Sequence, residues 1–91
     1  QLAAVYPEVQ PVDRHNTNAM ADPSFVAALE ATGRPKVVVS GLWTEVCLAQ
    51  TVITMLAKGY QVFFVADCSG GLSVEAHEEA KRRMTQAGAC P

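Results

Sequence analysis

The sequence predicts an α/β fold, in which the chain forms the C-terminal half of a doubly wound, Rossmann-like parallel sheet with helices on both faces. Helical and strand-like segments alternate in the order helix, strand, helix, strand, helix. Both strand-like segments are continuous runs of β-branched or aromatic residues, a pattern typical of strands that are buried on both faces. The connections are short, which favours right-handed crossovers between parallel strands.

The first helix and the first strand have clear boundaries in the sequence. Asp22 is a favourable N-cap, Pro23 occupies the first helical position, where proline is tolerated, and Gly33 ends the helix. Residues 36–40 (KVVVS) are predicted to form a strand. Residues 1–21 show little periodicity and are expected to be mostly loop.

The second half of the chain continues the alternation. Residues 44–58 are apolar nearly all round and predict a buried helix, and residues 60–66 (YQVFFVA) predict a second buried strand. An amphipathic helix follows over residues 73–87 and ends at Gly88. A third strand is expected to begin at residues 89–91. We therefore expect one partial domain over all 91 residues, whose remaining strands lie outside this sequence or come from another chain.

The composition indicates a globular domain and argues against several classes of partner. Hydrophobic residues make up 49% and charged residues 18%, with a net charge of −2. The sequence contains no basic patch that could bind nucleic acid. Polar residues interrupt the longest apolar run, residues 46–57, so no membrane span is predicted. The N-terminal residues lack the basic region of a signal peptide. Three widely spaced cysteines favour a reducing, cytoplasmic setting, and without ligand-like spacing we expect neither a metal nor another cofactor.

Two segments follow the predicted strands and should lie at the sheet edge where ligands bind, residues 41–44 and residues 67–71. If Thr44 caps the following helix, its hydroxyl would accept a hydrogen bond from the amide of Cys47. Cys47 would then lie in the first helical turn, where the helix dipole and unpaired amides favour a reactive thiolate. Such a strand-to-helix turn also provides amides that could stabilise an oxyanion.

These residues by themselves leave other interpretations open. Free cysteine is often a small apolar filler of a core, so Cys47 could be structural. Cys68 also follows a strand but lacks an evident helix dipole, Cys90 is expected to fill a strand, and His77 is expected on a solvated helix face. A dinucleotide site is disfavoured, because the turn after the first strand carries Leu, Trp and Glu where pyrophosphate binding needs glycines.

Four stretches of the sequence together carry a family resemblance. They are DRHNTNAMADPSFVAALEATGR, GLWTEVCLAQTV, GYQVFFVADCSGGLS and AHEEAKRRMTQAGA. In this order and spacing they resemble the isochorismatase-like cysteine hydrolases, in particular small bacterial hydrolases related to nicotinamidase and N-carbamoylsarcosine amidase. The resemblance extends from about Val12 to Ala89, and its most specific element is G-x-x-T-E-x-C.

The resemblance implies roles for individual residues. The nucleophile would be Cys47, the Leu42–Trp43 peptide bond would be cis, and the amides of Trp43 and Cys47 would form the oxyanion hole. Arg14 would stand where the family usually has a lysine. Because arginine is always charged, it could stabilise an anion but could not transfer a proton. The residues expected to line the substrate pocket are Trp43, Thr44 and Asn18.

The function implied by the resemblance is hydrolysis of an amide-type C–N bond, or a related bond, in a small molecule, through a covalent intermediate on cysteine. The family's general-base aspartate would lie upstream of this sequence, so the isolated chain is expected to be inactive. A homo-oligomer is expected, because the apolar helix and paired strands need more covering surface than 91 residues provide. Two alternatives remain, an inactive family member with a structural or interaction role and a thiol-redox protein that uses Cys47 and Cys68.

Overall fold

The computed structural model describes residues 17–91, so the predictions for Arg14 and the rest of the preceding segment lie outside the described residues. The elements follow the predicted order. The helices are α1 (Pro23–Ala31), α2 (Ala49–Ala57) and α3 (Val74–Ala87), and the strands are β1 (Lys36–Val39) and β2 (Gln61–Phe64). The short turns are 3₁₀ turns at Ala19–Ala21 and Ala66–Cys68 and a π-helical turn at Thr44–Leu48.

Side-chain caps mark the starts of the first and last helices, and a glycine marks the end of the last one. Asp22 Oδ1 accepts a 3.0 Å hydrogen bond from the amide of Ser24, and the Ser73 hydroxyl accepts one of 3.1 Å from the amide of Ala76. Gly88 ends α3 with φ of 119°, a left-handed conformation that favours glycine. The first and last predicted helices are confirmed. The helix predicted over residues 44–58 begins instead as a π-helical turn, and only Ala49–Ala57 is α-helical.

The strands β1 and β2 form a two-stranded parallel sheet. On the edge of β2 opposite β1, Cys90 pairs in parallel with Phe63. Two hydrogen bonds of 2.9 Å, with Val62 and Phe64, hold Cys90 there. Cys90 thus occupies a strand position, as expected, and its side chain is exposed.

The two faces of this sheet differ in burial. Val62 and Phe64 are buried against the helices. Because successive side chains of a strand point to opposite faces, Val38 and Phe63 lie on the other face, where Val38 is 69% exposed. Within residues 17–91 the helices bury one side of the sheet, so burial of the strands on both faces stays a prediction for the complete sheet.

The core between the covered face and the helices places α2 over the sheet. Val52 and Met55 of α2 and Met84 of α3 are fully buried in one cluster with Val62 and Phe64. Burial of each such side chain contributes about 1.5–3 kcal/mol. This packing fixes α2 and thereby the π-helical turn that precedes it.

Polar side chains of α2, in a stretch predicted to be apolar nearly all round, bind the segment before α1. The Ala19 amide donates a 3.0 Å hydrogen bond to Thr51 Oγ1, and Asn18 Nδ2 donates one of 2.9 Å to Thr54 Oγ1. These bonds fasten residues 17–21 along α2. They also bring Thr17 to the edge of the sheet.

Candidate active site

The segments that follow β1 and β2 lie against each other at the carboxyl edge of the sheet, as predicted. Leu42 forms a parallel bridge with Gly70. The Thr44 amide donates a 2.9 Å hydrogen bond to the carbonyl of Gly70, and the Gly41 amide donates one of 3.2 Å to Ser69 Oγ. The turn before α2 and the glycine-containing loop after β2 therefore form one structural unit.

Cys47 lies within the π-helical turn Thr44–Leu48, and its free thiol is half-buried. The Leu48 amide closes the turn with a 3.3 Å hydrogen bond to the carbonyl of Trp43. Single π-helical turns occur frequently at functional sites. The sulfur thus stands at the carboxyl edge of the sheet, just before the first residues of α2.

Thr44 is not the N-cap of this turn, so the predicted bond from the Cys47 amide to its hydroxyl is wrong. Trp43 occupies the N-cap position and makes no side-chain cap bond. Thr44 is completely buried, and its Oγ1 lies 2.8 Å from Nδ1 of His77. The threonine hydroxyl therefore connects the turn to α3 rather than to the backbone of its own turn.

Cys47 borders two cavities, which share Leu42 as a second lining residue. One cavity has a volume of about 360 Å³, and its lining is mostly apolar, including Phe25 and Met55. The other has a volume of about 320 Å³ and lies beside Trp43, whose side chain is 48% exposed. The peptide bond between Leu42 and Trp43 is cis. A small molecule in either cavity would therefore lie next to the thiol.

A tight contact holds the loop after β2 against the turn and α3. An added Cβ at Gly71 would lie 2.7 Å from Glu45 Oε1 and 3.0 Å from the Cβ of His77. Glu45 Oε2 accepts a 3.0 Å hydrogen bond from the amide of Leu72. Oε1 of Glu45 is buried and has no hydrogen-bond partner among residues 17–91. Glycine is thus the residue that lets the loop pass between Glu45 and His77.

The predicted pocket residues have different positions in the structure. Trp43 lines the smaller cavity, whereas the buried Thr44 and the half-buried Asn18 line neither of the two cavities beside Cys47. The Asn18 amide group is bonded at both ends, because Oδ1 accepts from the Met20 amide and Nδ2 donates to α2. Asn18 therefore holds its own segment in place, and its neighbours Thr17 and Ala19 are the ones that reach the cavities.

The sequence analysis missed the contacts of His77 and Glu45. His77 was expected on a solvated helix face, but the structure places its ring against the buried Thr44. Glu45 was noted only as part of the G-x-x-T-E-x-C element. The adjacent Thr-Glu pair and the Gly-Gly pair after β2 were the available signals, but their partners become evident only when the chain is folded.

Two other features, a metal site and a membrane-spanning helix, are not found among residues 17–91. Among residues 17–91, no group of three or more His, Cys, Asp or Glu side chains is arranged to hold a metal ion. None of the helices in the same part of the chain has the length and apolar character needed to cross a bilayer.

Parallel strands followed by a turn that carries a half-buried cysteine define an α/β protein with its candidate site at the carboxyl edge of the sheet. The family model described as Isochorismatase domain matches residues 1–91. The chain belongs to this isochorismatase-like hydrolase family. Among curated proteins it is similar to "Probable hydrolase YcaC" of Escherichia coli (strain K12), with 36% identity over 90 residues, which cover 98% of this chain and 43% of the relative. The chain thus spans less than half the length of that relative.

Solved structures show the same relationship. The E. coli YcaC gene product, described as an octameric hydrolase of unknown specificity, superposes with a TM-score of 0.92 at 36% identity over 98% of this chain and 44% of that one. YcaC of Pseudomonas aeruginosa, solved with hexane-2,5-diol and covalent acrylamide, gives a TM-score of 0.92 at 34% identity, over 98% and 45% of the two chains. A pyrazinamidase/nicotinamidase of Streptococcus mutans shares the fold, with a TM-score of 0.86 at 22% identity over 98% and 51%.

Proposed function

We propose that the protein hydrolyses an amide-type C–N bond, or a related bond, of a small molecule, with Cys47 as the nucleophile. The observation that carries this proposal is the position of Cys47, half-buried in the turn after β1 and exposed to two cavities. Of the three cysteines in the chain, Cys47 alone lines either of these cavities. The covalent acrylamide in the P. aeruginosa relative supports a reactive nucleophile in this part of the family.

The chemistry follows from a thiolate next to a bound carbonyl group. The Cys47 sulfur would form a C–S bond to the carbonyl carbon, and the amides of Trp43 and Cys47 would stabilise the resulting oxyanion. When the carbonyl forms again, the C–N bond breaks and the amine leaves with the proton that the thiol lost. Water then cleaves the thioester, which releases a carboxylic acid and restores the thiol.

The proton transfer needs a general base in addition to Cys47 and the two backbone amides. The family resemblance assigns it to an aspartate after an upstream strand, which would accept the thiol proton and pass it to the leaving amine. Arg14, outside the described residues, would stabilise the negative charge without transferring a proton. These two roles are part of the proposal.

The proposal extends to the whole protein. The exposed face that carries Val38 and Phe63 would be covered when the sheet is completed as a doubly wound sheet with helices on both faces. The octameric state of the E. coli relative supports a homo-oligomer. We also propose a cytoplasmic location, where a reduced thiol is maintained.

The test compares single cysteine variants of the full polypeptide that carries this sequence. Each variant is assayed against a panel of small amides, and acrylamide adducts are located by peptide mass spectrometry. We expect Cys47→Ser to abolish hydrolysis and the fast adduct, while Cys68→Ser and Cys90→Ser, at exposed positions, retain both. Hydrolysis that survives Cys47→Ser would exclude the proposed nucleophile.

A further inference from the structure

We propose that His77 is a positioning residue for Cys47 and that it acts through the hydroxyl of Thr44. This inference rests on the proposed function of Cys47. His77 belongs to α3, whereas Thr44 begins the turn that carries the nucleophile. Their side chains are joined by the 2.8 Å contact between Oγ1 and Nδ1.

Thr44 is placed so that its position determines that of the turn. Its backbone amide donates to the carbonyl of Gly70, and its carbonyl accepts from the amide of Ala49, the first residue of α2. Its side chain is completely buried. Because the backbone amide and carbonyl of Thr44 are both hydrogen-bonded, rotation or displacement of Thr44 would shift the residues between Thr44 and Ala49, which include Cys47.

Two contacts hold His77 in place. Its backbone amide donates a 3.0 Å hydrogen bond to the carbonyl of Ser73, the N-cap residue of α3. Its Cα and Cβ pack directly on Gly71, at 3.1 and 3.0 Å from the position that a Cβ there would take. Glu45 lies against the same glycine. The Cα and Cβ of His77 are therefore confined, and the imidazole extends from them to Thr44.

The hydrogen-bonding groups of this pair match in either arrangement of the proton. A hydroxyl can donate or accept, and Nδ1 of a neutral imidazole accepts in one tautomer and donates in the other. Removal of the imidazole would leave the buried Thr44 hydroxyl without its hydrogen bond, and removal of the hydroxyl would leave Nδ1 of the half-buried His77 without this partner. In either case the turn would lose its side-chain hydrogen bond to α3.

A purely structural role and a positioning role predict different results. A structural role lowers the stability of the protein without changing the reactivity of the thiol in molecules that remain folded. A positioning role lowers the rate at which Cys47 in folded protein attacks an electrophile. Misplacement of a reacting group by about 1 Å can lower a rate by up to about a hundredfold.

The measurement is the second-order rate constant for acrylamide addition at Cys47, determined by peptide mapping, with the unfolding midpoint of each variant recorded in parallel. The full polypeptide is used as wild type, His77→Gln, His77→Asn, Thr44→Val and the double variant His77→Gln/Thr44→Val. Asparagine places an amide atom where Nδ1 lies, one bond beyond Cγ, whereas glutamine does not. Thr85→Val is the matched control, because its hydroxyl is exposed and donates to the carbonyl of Lys81 in its own helix.

We expect His77→Gln and Thr44→Val each to lower the rate at least about tenfold, and the double variant to be no slower than the slower single variant. His77→Asn should restore most of the rate, and Thr85→Val should leave it unchanged. Wild-type rates in both single variants, or effects that multiply in the double variant, would overturn the inference. If Cys47 of the wild type reacts no faster than the exposed Cys68, the proposed function itself fails, and the two failures are thereby distinguished.

Discussion

The Leu72 amide donates a 3.0 Å hydrogen bond to Oε2 of Glu45, which joins the loop after β2 to the turn that carries Cys47. The contact depends on the close passage of Gly71 between Glu45 and His77. The pair Gly70-Gly71 after β2 and the pair Thr44-Glu45 before Cys47 thus pack against each other.

Gly71→Ala is expected to destabilise the protein by about 1–3 kcal/mol, the usual cost of overpacking. The added methyl would meet Glu45 Oε1, which could move, and also the backbone Cα of His77 at 3.1 Å, which could not move without shifting α3. Chemical denaturation at fixed protein concentration measures the change. Gly41→Ala is the control, since nothing lies within 4 Å of its added Cβ. Equal stability of the two variants would contradict the predicted close passage.

Thr51→Val is expected to cost about 1–3 kcal/mol, because it leaves the amide of Ala19 buried without an acceptor. The matched variant Thr85→Val removes an exposed hydroxyl from another helix and is expected to change the free energy of unfolding by less than about 0.5 kcal/mol. Urea denaturation of both variants checks the difference. A loss at Thr51 no larger than that at Thr85 would show that residues 17–21 are not held along α2 by this bond.

Gly88→Ala is expected to cost about 1 kcal/mol or somewhat more, because φ of 119° is unfavourable for a residue with a Cβ. Space is not the cause, since the nearest atom, Cδ2 of Leu56, is 3.9 Å from the added Cβ. Gly88→Asn should be milder, as asparagine tolerates left-handed conformations better. Thermal unfolding ranks the two variants, and an alanine variant as stable as wild type would argue against the left-handed C-cap.

Met84→Ala is expected to cost about 2–5 kcal/mol, because the side chain is fully buried in the core cluster that includes Val52 and Met55 of α2. Arg82→Ala on the same helix removes an ion pair with Glu79 in which both side chains are largely exposed. Such pairs contribute about 0–1 kcal/mol. Denaturation of the two variants therefore tests whether burial, rather than surface charge, holds α3. A larger loss for Arg82→Ala would reverse this assignment.

Val38→Asp tests the proposal that the open face of the sheet is covered in the full polypeptide. If it is covered, the variant buries an unpaired carboxylate and should be strongly destabilised or should fail to fold. Val74→Asp is the control, because Val74 is 75% exposed and begins α3, where a negative charge is favourable. The yield and the free energy of unfolding of the two variants are compared. Similar values for both would indicate that the face carrying Val38 remains open to solvent.

Sequence patterns predicted the local features of the fold because their causes lie within a few residues of one another. The cap of α1 at Asp22 and the stop of α3 at Gly88 each depend on a side chain or a backbone angle acting on its own neighbourhood. The strands follow from the β-branched and aromatic runs, and the position of Cys47 after β1 follows from the order of elements.

The sequence could not assign partners that come from distant parts of the chain. The Thr44 hydroxyl could have capped its own turn, and only the packing of α3 decided that it meets His77 instead. Likewise, Thr51 and Thr54 interrupt an apolar helix for a reason that becomes visible once residues 17–21 lie beside them. A hydrogen-bonding side chain in the sequence has several competing acceptors and donors, and the fold selects among them.

The amino-acid sequence by itself therefore determined the α/β class, the order of the elements, the cap at Asp22, the stop at Gly88 and the edge of the sheet at which Cys47 lies. The tertiary structure decided which face of the sheet is covered, that Thr44 bridges to His77, and that Gly71 passes between two side chains. The physical reason is the range of the interactions involved. Propensities and caps act over a single turn of the chain. Burial and buried hydrogen bonds depend on residues that are distant in the sequence and become neighbours only in the folded protein.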